Sequence, residues 1–277
     1  MLTFEVLCVT MNQNDFSKIK EININSDVVF ANQTSYTGYD EYQFGEYTAK
    51  MISTETKGVG INRNLGLMYA TADICLFADD DVCYLDDCKE KVLREFEQHP
   101  DADIIIFHFD TDSHRKQIQY SKTKKCGRFS RQPWATFRVA FRLKSVRKAN
   151  ISFTTLFGGG CVFPSGEDSM WLNEARKKGL TFYVSKETIG TVSFEQSTWF
   201  TGINEKFFYG KCAFYAAVHP NLFFLWQLYF ALRTKSMTTM SFKSKMKWIN
   251  NGRRGYKQML QYEDFRELDD SPKMDKK

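Results

Sequence analysis

The chain has 277 residues, enough for one large domain or for a domain with an appendage. It is 43% hydrophobic and 26% charged, which is typical of a globular protein and excludes a disordered or fibrous one. The net charge of +5 is small and no nucleic-acid-binding motif accompanies it, so we expect no nucleic-acid partner.

The cysteines and the chain start bear on location. The seven Cys residues are odd in number and lack the paired spacing of a structural zinc site. Several lie in apolar runs, as Cys75 does, which is typical of buried free thiols in a reducing compartment. The first eleven residues lack the basic segment of a signal peptide, and no apolar run reaches the ~18 residues of a membrane span. We therefore expect a cytoplasmic protein.

Strands and helices alternate through the first half of the chain. Apolar patterns predict strands at 3–10, 28–31, 73–78 and 103–109, and helices at 60–70 and 86–98. This alternation predicts βαβ units and a mainly parallel sheet. Residues 111–150 have a mixed pattern from which no element can be assigned. A helix is predicted from Ser165 to a stop at Gly179, and residues 203–277 are helical, aromatic and basic in pattern.

Three consecutive carboxylates, Asp79, Asp80 and Asp81, follow the strand predicted at 73–78. Their charges repel one another, and a hard divalent cation with oxygen ligands relieves that repulsion. Ligands of open α/β sheets bind beyond the carboxyl ends of strands, where this cluster is expected. The pattern predicts a metal site, and the alternative is a polar turn that caps the next helix.

Another pair, Asp110 and Asp112, follows the strand predicted at 103–109 in the same way. Alone, it fits the metal site or nucleophile of a phosphoryl-transfer enzyme. It lacks an upstream glycine and Arg-Asn context, so it is the weaker candidate. The four His residues show no paired metal spacing.

Gly58 and Gly60 precede the predicted helix that carries Arg63. A glycine-rich helix start favours anions, and Arg63 is placed to contact a phosphate or an aspartate. The alternative is a turn followed by an ordinary amphipathic helix.

The string from Gly58 through Arg63 and Asn64 to Asp79 and Asp81 resembles family 2 glycosyltransferases of the GT-A fold. The resemblance implies an α/β, Rossmann-like, mainly parallel sheet flanked by helices over residues 1–202, with a helical C-terminal extension over 203–277. It implies a nucleotide-diphosphate sugar donor, with Mn²⁺ or Mg²⁺ bound by Asp81 and Asp79. The donor-binding residues it implies are Thr10, Asn12, Gly58, Arg63, Asp79 and Asp80.

A glycine-rich segment at 157–163 is followed by Glu167 and Asp168. It is similar to the acceptor loop of the same family, which implies acceptor binding by Gly158, Gly159, Gly160 and Trp199. By that resemblance Asp168 is the general base of an inverting transfer, with Glu167 beside it. The alternative is that both acids only cap a helix. Phe194 stands where family members often have a His ligand, which leaves Glu195, Gln196, water or phosphate to complete the metal site.

The Gln-x-x-Arg-Trp signature of processive synthases is absent, so we expect one sugar per encounter. The acceptor is expected to be a glycan or lipid-linked glycan, as in polysaccharide biosynthesis. The alternatives are a nucleotidyltransferase that makes a nucleotide sugar and a non-catalytic nucleotide- or glycan-binding module. Aromatic residues at 223–230 followed by cations predict either peripheral contact with the inner membrane surface or a helix packed on the core.

Overall fold

A computed structural model describes residues 1–111, 120–127, 135–193, 202–234 and 237–270. The chain forms two compact units. The first consists of residues 1–154 and 168–197, and the second of residues 155–167 and 198–277. The predicted division into a transferase domain (1–202) and an extension (203–277) remains a prediction, because compactness alone does not define a functional domain.

The first unit contains one sheet. Its strands are β1 (Phe4–Met11), β2 (Asp27–Gln33), β3 (Gly38–Phe44), β4 (Tyr47–Thr54), β5 (Ile74–Asp79), β6 (Val82–Tyr84), β7 (Ile104–Thr111), β8 (Lys124–Lys125), β9 (Val139–Arg142) and β10 (Phe182–Val192). Their order is β3-β4-β2-β1-β5-β9-β7-β10-β6, and β8 pairs with β10. Strands β4, β2, β1 and β5 run parallel, as do β7 and β10. Strands β3, β6, β8 and β9 pair antiparallel.

Helices cover this mainly parallel sheet, as the sequence predicted. They are α1 (Lys18–Glu21), α2 (Val59–Tyr69), α3 (Cys88–Gln98), α4 (Leu143–Ala149) and α5 (Glu167–Lys177). Alternate residues of a strand enter different apolar clusters: Val6 lies in one cluster and its neighbour Leu7 in another. Trp171 of α5 is buried against Phe77 and Phe153, with ring centroids 5.3 Å away in both cases.

The structure adds elements that the sequence pattern did not reveal. Strands β3 and β4 form an antiparallel hairpin, and the side chains of β3 are largely exposed, so they show no apolar alternation. The unassigned stretch 111–150 contains β9, which lies between β5 and β7, and then α4. Strand β9 has only four residues, too few for a clear periodicity.

The second unit combines the glycine-rich loop segment within residues 155–167 with a helical part at 202–270, as far as the structure describes it. Its helices are α6 (Glu205–Val218), α7 (Phe223–Arg233), α8 (Phe242–Gln258) and α9 (Tyr262–Asp270). The side chain of Asn204 caps α6 and that of Ser241 caps α8. Helices α6 and α8 approach closely, because a Cβ atom on Gly252 would overlap the carbonyl oxygen of Tyr209. Within the described ranges, no helix combines the length and hydropathy needed to cross a bilayer.

Candidate functional site

The acidic cluster lies at the carboxyl ends of two adjacent parallel strands. Strands β1 and β5 pair in a register that sets Val9 beside Asp79. The next residue of β1, Thr10, is buried, and its hydroxyl donates a 2.6 Å hydrogen bond to Oδ2 of Asp80. The structure therefore brings together Thr10, Asp79 and Asp80 at the edge of the sheet where ligands of such folds bind.

Arg63 joins the acidic cluster to Asp168. Its Nη2 lies 2.9 Å from Oδ1 of Asp79, and its Nη1 lies 2.7 Å from Oδ1 of Asp168. The Arg63 side chain is only 5% exposed, and its guanidinium carbon lies 5.4 Å from the centre of the Phe153 ring. A buried guanidinium shared by two carboxylates holds both in fixed positions through charge-assisted hydrogen bonds.

The second oxygen of Asp168 also has a partner. The backbone N–H of Thr136 donates to Asp168 Oδ2 at 3.2 Å. Thr136 begins a short 3₁₀ turn, Thr136–Arg138, immediately before β9. Sequence reasoning missed this residue, because it lies in the unassigned stretch and contributes a backbone group that no side-chain motif reveals.

Helix α2 positions Arg63 through contacts that depend on small and amide side chains. Gly58 precedes the helix with a φ of 127°, a conformation that favours glycine. Gly60 lies against the carbonyl oxygen of Thr154, which leaves no room for a Cβ atom. Asn64 binds both backbone groups of Phe153: Nδ2 donates to the carbonyl at 2.9 Å, and Oδ1 accepts from the N–H at 2.7 Å.

Gln33 connects two of the predicted donor-binding residues. Its carbonyl oxygen accepts from the N–H of Asn12 at 2.8 Å, and its Oε1 accepts from the N–H of Gly58 at 3.0 Å. The neighbouring Asn32 is fully buried and binds the backbone of Gln13 in both directions. Sequence reasoning also missed these two amides. The sequence feature that could have marked them is the polar pair Asn32 and Gln33 directly after the apolar run 28–31.

Burial and neighbouring negative charges both raise pKa values within the acidic cluster. Desolvation, followed by the charges of Asp79 and Asp80, raises the pKa of Asp81 to about 6. Desolvation also raises the pKa of Asp79, although the charge of Arg63 opposes that rise. A divalent cation would relieve both effects.

The carboxylates of the acidic cluster suit a divalent cation that also binds phosphate oxygens. Among the residues that the structure describes, no three His, Cys, Asp or Glu side chains converge on one point. A cation held by Asp79 and Asp81 would have two carboxylate ligands and would need its other ligands from outside this set. Mg²⁺ is typically bound in this way, by one or two carboxylates together with phosphate oxygens and water.

Other predicted site residues belong to the second unit. Glu167 accepts a 3.0 Å hydrogen bond from the N–H of Gly166 at the start of α5. In the glycine-rich loop, the N–H of Gly158 donates to the carbonyl of Phe163 at 2.8 Å. Gly158 and Gly160 both have positive φ, at 113° and 77°, and a Cβ on Gly159 would meet nothing within 4 Å. The acceptor role of these three glycines remains a prediction.

Some sequence predictions fall on residues outside the described ranges. Trp199, Phe194, Glu195, Gln196 and Asp112 are among them. Asp110, the described half of the rival acidic pair, is exposed near the end of β7.

The mainly parallel sheet covered by helices, with an acidic cluster at the carboxyl ends of two of its strands, is typical of a GT-A type fold. The sequence matches the family model described as "Glycosyl transferase family 2" over residues 23–158. This match confirms the resemblance seen in the sequence, and the chain is a glycosyltransferase.

Solved structures support the fold. The chain is similar to S. aureus TarS 1–349, with 14% identity and a TM-score of 0.58 over 94% of this chain and 93% of that one. It is similar to the same protein in complex with UDP-GlcNAc, with 13% identity, the same coverage and a TM-score of 0.57. Full TarS aligns with a TM-score of 0.53, and the match covers 95% of this chain and 45% of TarS. At such identities the likeness concerns the fold alone. No curated protein sequence matches the chain.

Proposed function

We propose that the chain transfers one sugar, with inversion, from a nucleotide-diphosphate sugar to a hydroxyl of a glycan or lipid-linked glycan. The observation that carries this proposal is Arg63, which binds Asp79 of the acidic cluster and Asp168 together. A transferase needs both a place for the donor diphosphate and a base for the acceptor hydroxyl. A single buried guanidinium that holds both Asp79, on the proposed donor side, and Asp168, the proposed base, suits that requirement.

In the proposed reaction, the acceptor oxygen attacks the anomeric carbon from the face opposite the leaving group. The new bond joins that oxygen to the carbon, and the bond from the carbon to the diphosphate oxygen breaks. The nucleoside diphosphate leaves with the electron pair, and Asp168 takes the acceptor proton on a carboxylate oxygen. Arg63 and the Thr136 N–H keep that carboxylate oriented. We assign Glu167 a supporting role beside it.

We assign the donor to the acidic edge of the sheet, with Thr10, Asn12, Gly58, Arg63, Asp79 and Asp80 as its binding residues. Asp81 and Asp79 would hold Mn²⁺ or Mg²⁺. Such a cation would supply positive charge to the departing diphosphate. The hydrogen bonds from Thr10 to Asp80 and from Gly58 to Gln33 would keep this edge preorganised before the donor arrives.

For the acceptor we propose Gly158, Gly159, Gly160 and Trp199. The setting we propose is the cytoplasm, at the inner surface of the membrane, in polysaccharide biosynthesis. Cys8, Cys75, Cys88 and Cys212 are buried thiols outside any disulfide, which suits a reducing compartment.

The test is to measure which product is released when donor, Mn²⁺ and acceptor are combined. UDP-GlcNAc is the first donor to try, because the structural neighbour TarS is described in complex with it. We expect a nucleoside diphosphate to be released in proportion to acceptor glycosylated. Pyrophosphate would indicate a nucleotidyltransferase. Binding of a nucleotide sugar with no product, across a panel of donors and acceptors, would indicate a binding module.

A further inference from the structure

Helix α7 presents two apolar faces. One is buried and includes Phe223, Gln227, Phe230 and Ala231. The other is exposed to solvent. It consists of Phe224 (71% exposed), Leu225 (62%), Leu228 (42%), Tyr229 (47%) and Leu232 (57%). A helix that is hydrophobic all round is normally enclosed by protein or lipid, so the exposed face requires an occupant.

The buried face of α7 already has its partners within the second unit. Phe230 packs against Phe208 of α6 with ring centroids 5.4 Å apart. On α8, Asn250 accepts from Gln227 at 3.0 Å, and Nζ of the buried Lys245 donates to the carbonyl of Thr234 at 3.0 Å. These contacts run in opposite directions along the two helices, so α7 and α8 form an antiparallel hairpin. They hold α7 with its second apolar face outward.

The charge of residues 206–262 indicates what kind of partner covers the exposed apolar face of α7. Residues 206–262 contain ten of the 38 Lys and Arg residues and none of the 33 Asp and Glu residues. Elsewhere the acids outnumber the cations, so the small overall charge of +5 conceals a strongly basic segment. The exposed cations of the α7–α8 hairpin are Arg233, Lys243, Lys247, Arg253, Arg254 and Lys257.

We propose that the exposed face of α7 inserts into the headgroup region of a membrane rich in anionic lipids, while these cations bind the lipid phosphates. An anionic bilayer satisfies both features at once, because it takes up apolar side chains and attracts Lys and Arg. A second copy of the chain would bring a second set of these cations close to the first, and like charges oppose that contact. This surface does not depend on the transfer chemistry, and it adds a named docking element to the proposed membrane location.

The test is co-sedimentation of the intact chain with vesicles, without donor or metal. We expect binding to phosphatidylglycerol-containing vesicles at low salt, weaker binding at high salt, and little binding to pure phosphatidylcholine vesicles. Replacing Phe224→Ser together with Leu228→Ser should reduce binding about tenfold or more, because both side chains lose their transfer into the bilayer. Both are exposed, so thermal unfolding should be nearly unchanged.

Met68→Ser is the matched control, since Met68 is also 71% exposed but lies on α2 of the first unit. It should bind vesicles as the unmodified chain does. Three results would overturn the proposal. One is no binding to anionic vesicles at low salt, and another is equal binding by the double variant, which would leave the cations acting alone. The third is a lipid-free dimer that the double variant converts to a monomer, which would assign the face to a second copy. Nucleotide-sugar turnover is measured separately, so failure here leaves the transferase proposal standing.

Discussion

Arg63 is buried between Asp79 and Asp168, so we expect it to position both carboxylates in addition to the donor contact proposed for it. Replacing it with Met would leave two carboxylates facing each other without compensation, and the pKa of Asp79 would rise further. We expect Arg63→Met to lower the free energy of unfolding by about 2 kcal/mol. This is below the usual range for a broken buried pair, because both carboxylates keep some solvent contact. We expect transfer to fall by about 100-fold through misplacement of Asp168.

Arg63→Lys is the informative comparison. It keeps the charge but not the planar fork that binds two carboxylates at once. Stability measured by denaturant unfolding should therefore recover more than transfer does. If transfer recovers fully with Lys, the role of Arg63 is a matter of charge alone, and the proposed positioning of Asp168 is wrong.

Asp168 can be tested with little change of shape. Asp168→Asn keeps the size of the side chain and the contact with the Thr136 N–H. Donor affinity should survive, because we assign the diphosphate to the acidic edge of the sheet. Transfer should fall by roughly 100-fold or more, the usual scale of general-base catalysis. Donor binding and transfer should be measured on the same preparation, with Glu167→Gln expected to lose less.

Near-normal transfer by Asp168→Asn would return the residue to a capping role at the start of α5. Loss of donor binding together with transfer would indicate a disturbed site and would contradict the separation of donor and base functions.

Asp81 makes the stability of the metal-free chain depend on pH. Its pKa is raised from 3.8 to about 6 in the folded chain, so the folded state holds the proton more tightly than the unfolded state. Its contribution is therefore most favourable below about pH 4 and is lost as the pH rises through about 6. Asp81→Asn should have a higher Tm than the unmodified chain at pH 7 and a similar Tm at pH 4.

Manganese separates this effect from a general change in packing. At pH 7 it should raise the Tm of the unmodified chain but not that of Asp81→Asn, because a ligand that binds only the folded state stabilises it. A Tm difference that is the same at pH 4 and pH 7 would show that the charge of Asp81 is not its cause.

Helix α2 contains two glycines whose replacement by alanine should have opposite effects on stability. A Cβ at Gly60 would overlap the backbone of Thr154, so Gly60→Ala must shift the helix that carries Arg63. A Cβ at Gly66 would meet Leu7 at 3.5 Å, an ordinary contact. We expect Gly60→Ala to destabilise the chain by about 2 kcal/mol. Gly66→Ala should instead stabilise it by up to about 1 kcal/mol through helix propensity.

Thermal unfolding should therefore give a lower Tm for Gly60→Ala and a higher Tm for Gly66→Ala. Transfer should be reduced more by Gly60→Ala than by Gly66→Ala. Equal behaviour of the two would contradict the close approach of α2 to the segment around Thr154.

The elements that could be predicted from the sequence are those whose apolar side chains are buried and recur with regular spacing. Strand β5 is apolar through Ala78, and its boundary was predicted to within a residue. Strand β3 was not predictable, because its side chains are mostly exposed and its stability comes from pairing with β4. The four-residue β9 is stabilised by pairing with β5 and β7. These strands are distant from it in sequence, so the local apolar pattern of β9 does not reveal the pairing.

The site shows the same limit. Asp79, Arg63 and Asp168 are candidates that motifs predict, because the proposed chemistry restricts which side chains such positions accept. Their mutual contacts were not predictable, since Asp168 is 105 residues from Arg63 in the chain. Thr136 contributes only a backbone N–H, a group that every residue except proline carries, so no residue type could have marked it.

The charge of the chain is unevenly distributed along its length. A net charge of +5 over 277 residues indicates a mildly basic protein, yet residues 206–262 lack any acid. The net charge of the whole chain is small because the acids elsewhere offset the cations of this segment. Ionic strength should therefore change interactions of the α7–α8 hairpin far more than the overall charge implies.

The distribution of the cysteines allows a spectroscopic test of the proposed donor site. Cys83 is exposed, Cys126 and Cys161 are partly exposed, and the other four are buried. With Cys126→Ser and Cys161→Ser, a nitroxide attached to Cys83 would lie two residues from Asp81. Paramagnetic Mn²⁺ bound there would broaden its resonance, whereas Mg²⁺ would not. A single label could thus report occupancy of the acidic edge before any sugar, acceptor or turnover is known.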